Sequence, residues 1–126
     1  MRKALILIVG VLAVASVVQA AVAELDTDLM QTIEDTNKSL ASNIAVGDKK
    51  GAGSDAAELH EMFLKVEAFY TQKGDAQDAV DLSRKSLALT EKIGQQVQSN
   101  NFGDATNTAT DLSRNCKSCH NFYKKS

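Results

Sequence analysis

The stretch that decides the fold is FGDATNTATDLSRNCKSCHNFY, residues 102–123. Its apolar and small residues recur at steps of three and four, the spacing that keeps side chains on one face of an α-helix. This face, called the seam below, holds Phe102, Ala105, Ala109, Leu112, Cys116, Cys119 and Tyr123. The stretch therefore predicts a C-terminal amphipathic helix with two cysteines on its buried side.

Three further segments upstream show the same periodicity. We expect helices over residues 26–46 and 55–72, and a third that begins after Gly74 and Asp75. The sequence contains no proline and little β-branched alternation, so nothing in it predicts a strand. Four amphipathic helices with short connections pack most simply with neighbours antiparallel. The predicted fold class is therefore all-α, an antiparallel up-down four-helix bundle.

The connection between the first two helices is predicted to be a loop over residues 47–54. Its three glycines and two lysines argue against continued helix. Ser54 or Asp55 can then cap the second helix, and Asp75 can cap the third. The seams of the first three helices are expected to hold Met30, Ile33, Asn37, Leu40 and Ile44; Leu59, Met62 or Phe63, Val66 and Phe69 or Tyr70; and Ala79, Leu82, Ser86, Leu89, Ile93 and Val97.

The N-terminal segment shows the order of regions found in secretory signal peptides. A basic start precedes an uncharged apolar run over residues 4–18, and small residues offer cleavage after Ala20 or Ala23. The alternative is an uncleaved membrane anchor, but the run is shorter than the roughly 20 residues that span a bilayer. We therefore expect a signal peptide over residues 1–23 and an exported, periplasmic bundle over residues 24–126 with no membrane segment.

The charge balance of the mature chain excludes one class of partner. Removing the leader takes two of the 14 Lys and Arg residues, which leaves 12 against 16 Asp and Glu, a net charge of −4. Such a chain lacks the basic footprint of a nucleic-acid-binding protein. The sequence also has no Ser-His-Asp set and no Gly-rich phosphate loop, so no enzyme is expected.

The strongest chemical signal is Cys116-Lys117-Ser118-Cys119-His120. Two thiols three residues apart on a helix lie on one face, where they can form thioethers with the two vinyl groups on one edge of a haem. His120, next in line, can bind the haem iron as its proximal ligand. Because C-x-x-C-H is the spacing of c-type haem attachment, the predicted cofactor is one covalent haem c.

Three other interpretations of the two cysteines compete with haem attachment. They can form a disulfide in an oxidising compartment. A thioredoxin-like pair needs a βαβ context, which the sequence lacks. A structural zinc site needs four ligands, and beyond Cys116, Cys119 and His120 only the distant His60 remains.

Read on to Tyr123 and Lys124, the motif resembles the C-terminal haem motif of class II c-type cytochromes, the cytochrome c-prime group. Members of that family carry C-x-x-C-H, then x-x-Tyr and a basic residue, near the end of a four-helix bundle. The resemblance implies that Cys116 and Cys119 attach the haem and that His120 is the proximal ligand. It also implies that Lys124 lies near the haem on the proximal side. Tyr123 is expected to pack against the haem or the seam.

The residue opposite His120 decides which activity is expected. A methionine sulfur gives a low-spin haem suited to electron transfer, whereas an apolar residue leaves the iron open to NO or CO. Met30 lies about one turn inside the first helix, where the family places its distal residue, so we predict a methionine-ligated low-spin member. The alternative is that Met30 is an ordinary core residue. Met62 is expected to be core packing, and His60 a surface residue.

The predicted function is that of a periplasmic electron carrier whose haem iron is held by His120 and Met30. The alternative is a five-coordinate haem protein that binds NO or CO, and a weaker third is a helical bundle with a disulfide and no haem. Redox proteins are the expected partners. Monomer and homodimer both stay open, since many relatives of this kind pair through their first two helices.

Overall fold

The structure is a computed structural model that describes Leu25 and residues 27–123, with side chains described as far as Asn121. Its four helices are α1 Thr27–Ala45, α2 Lys49–Lys73, α3 Gln77–Gln98 and α4 Phe102–Tyr123. The predicted signal peptide, the packing predicted for the Tyr123 side chain, and Lys124 lie outside the described residues.

The predicted up-down bundle is confirmed by the connections and contacts of these helices. Successive helices are joined by residues 46–48, 74–76 and 99–101, and links this short make the chain turn straight back. Each helix contacts the next, and α1 contacts α4, which closes the ring. No strand occurs in the described part of the chain. None of the described helices is long and apolar enough to span a bilayer.

Most of the core of the bundle is built from the predicted seams, but on α3 the expected Leu82 and Leu89 are only partly buried, whereas Val80 and Thr90 are buried. Met62 is 5% exposed and belongs to this core, as expected. Fully burying a Val, Leu, Ile or Met side chain stabilises a fold by about 1.5–3 kcal/mol. The largest fully buried aliphatic side chains, which come from all four helices, are Leu40, Leu59, Ile93, Val97 and Leu112.

The loop predicted over residues 47–54 is wrong for most of its length. The second helix starts at Lys49 because Asp48 caps it, its Oδ1 accepting a hydrogen bond of 2.9 Å from the Gly51 N–H. Gly51 provides space here and not flexibility. A Cβ at this position would lie 2.5 Å from Asp48 Oδ2 and 2.8 Å from Asn43 Nδ2. A glycine that permits a close approach looks in sequence like a glycine that ends a helix.

The caps predicted at Ser54 and Asp55 are wrong for the same reason, because both residues lie inside α2. Asp55 instead ties α2 to α1. Its Oδ2 accepts hydrogen bonds of 2.8 Å from Ser39 Oγ and 2.8 Å from Asn43 Nδ2. An acidic residue read as a helix start is thus a bridge between helices.

The turn between α2 and α3 agrees with prediction at its first residue only. Gly74 adopts φ 78°, and its N–H donates to the Tyr70 carbonyl to end α2. The predicted cap at Asp75 is wrong, since the N-cap of α3 is Ala76 and makes no side-chain cap bond. Asp75 instead lies 4.0 Å from the Lys73 ammonium.

The start of α4 is held by a reciprocal pair of side chains. Asn101 Oδ1 accepts a hydrogen bond of 3.3 Å from the Asp104 N–H, and Asn101 Nδ2 donates to Asp104 Oδ2 at 2.6 Å. This arrangement satisfies a backbone donor of the first turn that the helix itself cannot pair. The seam of α4 therefore enters the bundle in a defined register.

Candidate functional site

One cavity brings together the residues that the sequence singles out. Met30 of α1 lines it, together with Cys116, Cys119 and His120 of α4. These residues come from opposite ends of the described chain and become neighbours because α1 and α4 close the ring. The cavity volume is about 80 Å³, which is below the roughly 300–1,000 Å³ of sites that hold small ligands and cofactors.

The rest of the cavity wall is mainly apolar. Ile33, Phe63 and Val66 are 5%, 6% and 4% exposed. The full set of further lining residues is Ile33, Glu34, Asn37, Phe63, Val66, Leu82, Ser83 and Ser86. Apolar walls with a thioether on one helix and two thiols and an imidazole on another are the chemistry that a covalently attached haem requires. In their donor chemistry, the residues present therefore fit that group.

Met30 lies in the first turn of α1, partly buried and packed against the core. Met30 lies on the same seam as Ile33, the face of α1 that packs against the bundle interior. One turn after Met30, Glu34 also lines the cavity, and its Oε1 accepts a hydrogen bond of 2.8 Å from Lys38 Nζ. The structure thus places Met30 in the wall of the same cavity as His120, and ligation of iron by its sulfur stays a prediction.

The two thiols of α4 are free and partly buried. Burial raises the pKa of Cys116 to about 11, and the neighbouring Cys119 adds to the rise. Burial also raises the pKa of Cys119. Redox-active cysteines of the thioredoxin kind depend on lowered pKa values, so these thiols have the opposite character. In this structure they form no disulfide.

His120 is exposed and borders the open side of the cavity. Within the described residues, no three or more His, Cys, Asp or Glu side chains converge so that they could hold a metal ion. Cys116, Cys119 and His120 therefore line the cavity without forming a zinc-type cluster. The zinc interpretation gains no support from the part of the chain that the structure describes.

The other histidine lies away from this cavity. His60 is partly buried between α2 and α3, where it lines a separate groove. Its Nδ1 lies 3.1 Å from Thr90 Oγ1. Because the Thr90 hydroxyl donates to the Leu87 carbonyl at 2.8 Å, it is free to accept the imidazole proton. The expectation of a plain surface histidine misses this bond between two helices.

Sequence reasoning missed Asn115, which is 4% exposed and directly precedes Cys116. Its Nδ2 donates hydrogen bonds of 2.8 Å to the Leu82 carbonyl and 2.7 Å to Ser86 Oγ. Leu82 and Ser86 both line the cavity. A signal was present in sequence, since Ser86 is a polar residue at a seam position and such a residue needs a partner when buried.

Comparison with protein-family models, with curated proteins and with solved structures returned no match to this chain. What the cavity can do follows from its own residues. It offers two neutral thiols for covalent attachment, an imidazole and a thioether as donors to a metal, and a partly apolar wall.

Proposed function

We propose that the protein is a periplasmic monohaem c-type cytochrome that carries electrons through an iron bound by His120 and Met30. The observation that carries the proposal is that Met30 lines the same cavity as the C-x-x-C-H segment. The spacing of Cys116, Cys119 and His120 suggests a haem by itself. Nothing in that spacing requires a thioether from another helix to lie in the same cavity, so the two observations support the proposal independently.

Attachment uses the two thiols of α4. Cys116 and Cys119 would hold the haem through two thioether bonds to its vinyl groups, and this addition would need no oxidant. Cys116 and Cys119 lie on one face of α4 because they are three residues apart. Their partial burial and raised pKa values keep them as thiols near neutral pH, which protects them from oxidation before attachment.

Ligation uses the two helices that close the ring. His120 supplies an imidazole nitrogen from α4, and Met30 supplies a thioether sulfur from α1. Bound there, the haem supplies a one-electron couple between ferric and ferrous iron. Retaining both ligands in both states keeps structural change during electron transfer small. Phe63 and Val66 give the site a buried apolar wall, and His120 is exposed to solvent, where a redox partner can approach.

The test is the absorption spectrum of periplasmically expressed protein, ferric and ferrous, beside Met30→Leu. A matched control is Met62→Leu, which changes a buried methionine that does not line the cavity. Leucine conserves most of the volume, so either change should cost under about 1.5 kcal/mol. We expect sharp low-spin α and β bands in the wild type and in Met62→Leu, and their loss in Met30→Leu.

Two results would each contradict a different part of the proposal, the haem or the distal ligand. A wild-type protein without a Soret band excludes the haem altogether. A high-spin wild-type spectrum that Met30→Leu leaves unchanged excludes Met30 as a ligand while keeping the haem.

A five-coordinate haem that binds NO or CO is the second candidate. The apolar cavity wall favours it, because Ile33, Phe63 and Val66 offer no donor atom to the iron. The same spectra decide between the two. A high-spin wild type whose Soret band shifts on adding CO favours gas binding, and a low-spin wild type that ignores CO favours electron transfer.

A further inference from the structure

Two buried polar residues lie on the same face of α4 and are bonded differently. Thr108 and Asn115 are each 4% exposed, and they are two helical turns apart. Thr108 Oγ1 donates to the carbonyl of Asp104 in its own helix at 3.0 Å. Asn115 Nδ2 instead crosses to α3 and donates to the Leu82 carbonyl at 2.8 Å and to Ser86 Oγ at 2.7 Å. Of the two, only Asn115 links α4 to another helix.

The bonds of Asn115 lie at the wall of the cavity. Both acceptors, the Leu82 carbonyl and Ser86 Oγ, belong to residues that line the cavity. Asn115 directly precedes Cys116 in α4. Since each residue of an α-helix advances the side-chain direction by about 100°, holding one side chain against α3 sets the direction of the next. The same contact of Asn115 with α3 also sets the directions of Cys119 and His120, which lie about one turn further along α4.

A second bond reaches the same segment from the other side. Asn37 of α1, which lines the cavity, donates from Nδ2 to Ser113 Oγ at 3.0 Å. Ser113 is exposed, so water competes with this bond. The bonds of Asn115 are shielded from water and give the stronger constraint on α4.

We propose that Asn115 is a positioning residue of the haem site. Its amide holds α4 at the rotation about its own axis that aims Cys116, Cys119 and His120 into the cavity. This inference rests on the proposed function. Thr108 is equally buried on the same face and has no such link, so it serves as the matched control.

The experiment compares three holoproteins: wild type, Asn115→Leu and the matched control Thr108→Val. The readouts are the ratio of covalent haem to protein, the ferric electron paramagnetic resonance spectrum, which reports the axial ligand geometry, and the thermal midpoint. Asn115→Leu should lower the haem ratio or split the low-spin signal into more than one species. Thr108→Val should lower the midpoint at most and keep the wild-type haem ratio and signal.

A second variant separates positioning from stability, and it also serves if Asn115→Leu alone folds poorly. Adding Ser86→Ala to Asn115→Leu removes the hydroxyl that would otherwise stay buried without its donor, and removing both partners restores much of the stability. If Asn115 only stabilises the bundle, the double variant regains the wild-type spectrum. If Asn115 positions α4, the spectrum stays altered, relative both to wild type and to Ser86→Ala alone, although the midpoint recovers.

The outcomes that overturn the inference are distinct from those that overturn the function. A coloured wild type, with Asn115→Leu unchanged in haem ratio and in spectrum, overturns the positioning role alone. So does a double variant with the wild-type spectrum. A wild type that carries no covalent haem overturns the proposed function, and the inference falls with it.

Discussion

Met30, in the first turn of α1, lines the same cavity as Cys116, which lies near the end of α4. The two residues are far apart in the chain. Their helices, α1 and α4, are the first and last of the bundle and come into contact when the ring of helices closes. The cavity is therefore a property of the closed ring and not of any single hairpin. A ligand that bridges the two helices should stabilise the closed form by binding it and not the unfolded chain.

Replacing Met30 by histidine tests the distal position without emptying it. An imidazole keeps the iron six-coordinate and low-spin, but it lacks the thioether that raises the potential. We expect Met30→His to keep sharp α and β bands and to lower the reduction potential by a measurable part of the roughly 0.8 V range that axial ligands set. Spectroelectrochemical titration measures the potential. An unchanged potential would show that residue 30 does not touch the iron.

Replacing the cysteines tests covalent attachment. Cys116→Ser and Cys119→Ser should each lower the yield of coloured protein, and the double variant should lose haem on a denaturing gel stained for haem. Ser118→Ala is the matched control, since Ser118 lies between them and its hydroxyl donates only to the Arg114 carbonyl. Full yield of stable, stained protein from the double variant would exclude thioether attachment.

The reactivity of Cys116 should depend on pH in protein that lacks haem. The pKa rises from 9.0 to about 11, a difference of two units, so at pH 8 the reactive thiolate is about 100-fold rarer than in an ordinary thiol. Alkylation by iodoacetamide, followed by mass spectrometry, should be slow at pH 8 and accelerate up to about pH 11. The urea-unfolded protein is the control and should react much faster at pH 8.

The same shift has a consequence for stability. The folded state holds the thiol proton more tightly than the unfolded state, so the contribution of Cys116 is fully present below pH 9.0 and is lost as the pH rises toward about 11. Equal alkylation rates in folded and unfolded protein would contradict both statements.

Two glycine substitutions should change stability in opposite directions. In Gly51→Ala the new Cβ would meet Asp48 Oδ2 at 2.5 Å and Asn43 Nδ2 at 2.8 Å, which disturbs the α2 cap and should cost about 1–2 kcal/mol. Gly94 lies inside α3 with no atom within 4 Å of an added Cβ, so Gly94→Ala should stabilise by about 0.5–1 kcal/mol. Urea unfolding of the two variants measures both free energies. If Gly51→Ala and Gly94→Ala changed the free energy of unfolding equally, the side chains of Asp48 and Asn43 would be able to move away from the new Cβ without loss of stability.

The four helices follow from local information. Ile93 of α3 and Leu112 of α4 are buried because each lies on the apolar face of its own helix. That face is set by steps of three and four between apolar residues, a pattern that neighbouring residues alone determine. The spacing of Cys116 and Cys119 is local in the same way, since a helix puts residues three apart on one side whatever surrounds it. The fold class and the placing of the two cysteines on one side of α4 were therefore predictable from sequence.

Two of the errors lie where α1 and α2 meet. Gly51 has the composition of a loop, and only the approach of Asp48 and Asn43 shows that it provides space within a helix. Asp55 has the composition of a cap, yet its carboxylate accepts from Ser39 and Asn43 of another helix. One residue type serves several purposes, and sequence alone does not say which neighbour it meets.

The sequence by itself determined that the chain forms amphipathic helices and that one of them carries two thiols and an imidazole at fixed spacing, because both depend on residues a few positions apart. Only the tertiary structure decided that Met30 lines the cavity beside those groups and that Asn115 bonds to Ser86 of α3. The physical reason is that such contacts depend on how whole helices rotate and slide against one another. That choice is made by the packing of all the seams together, and no single stretch of sequence contains it.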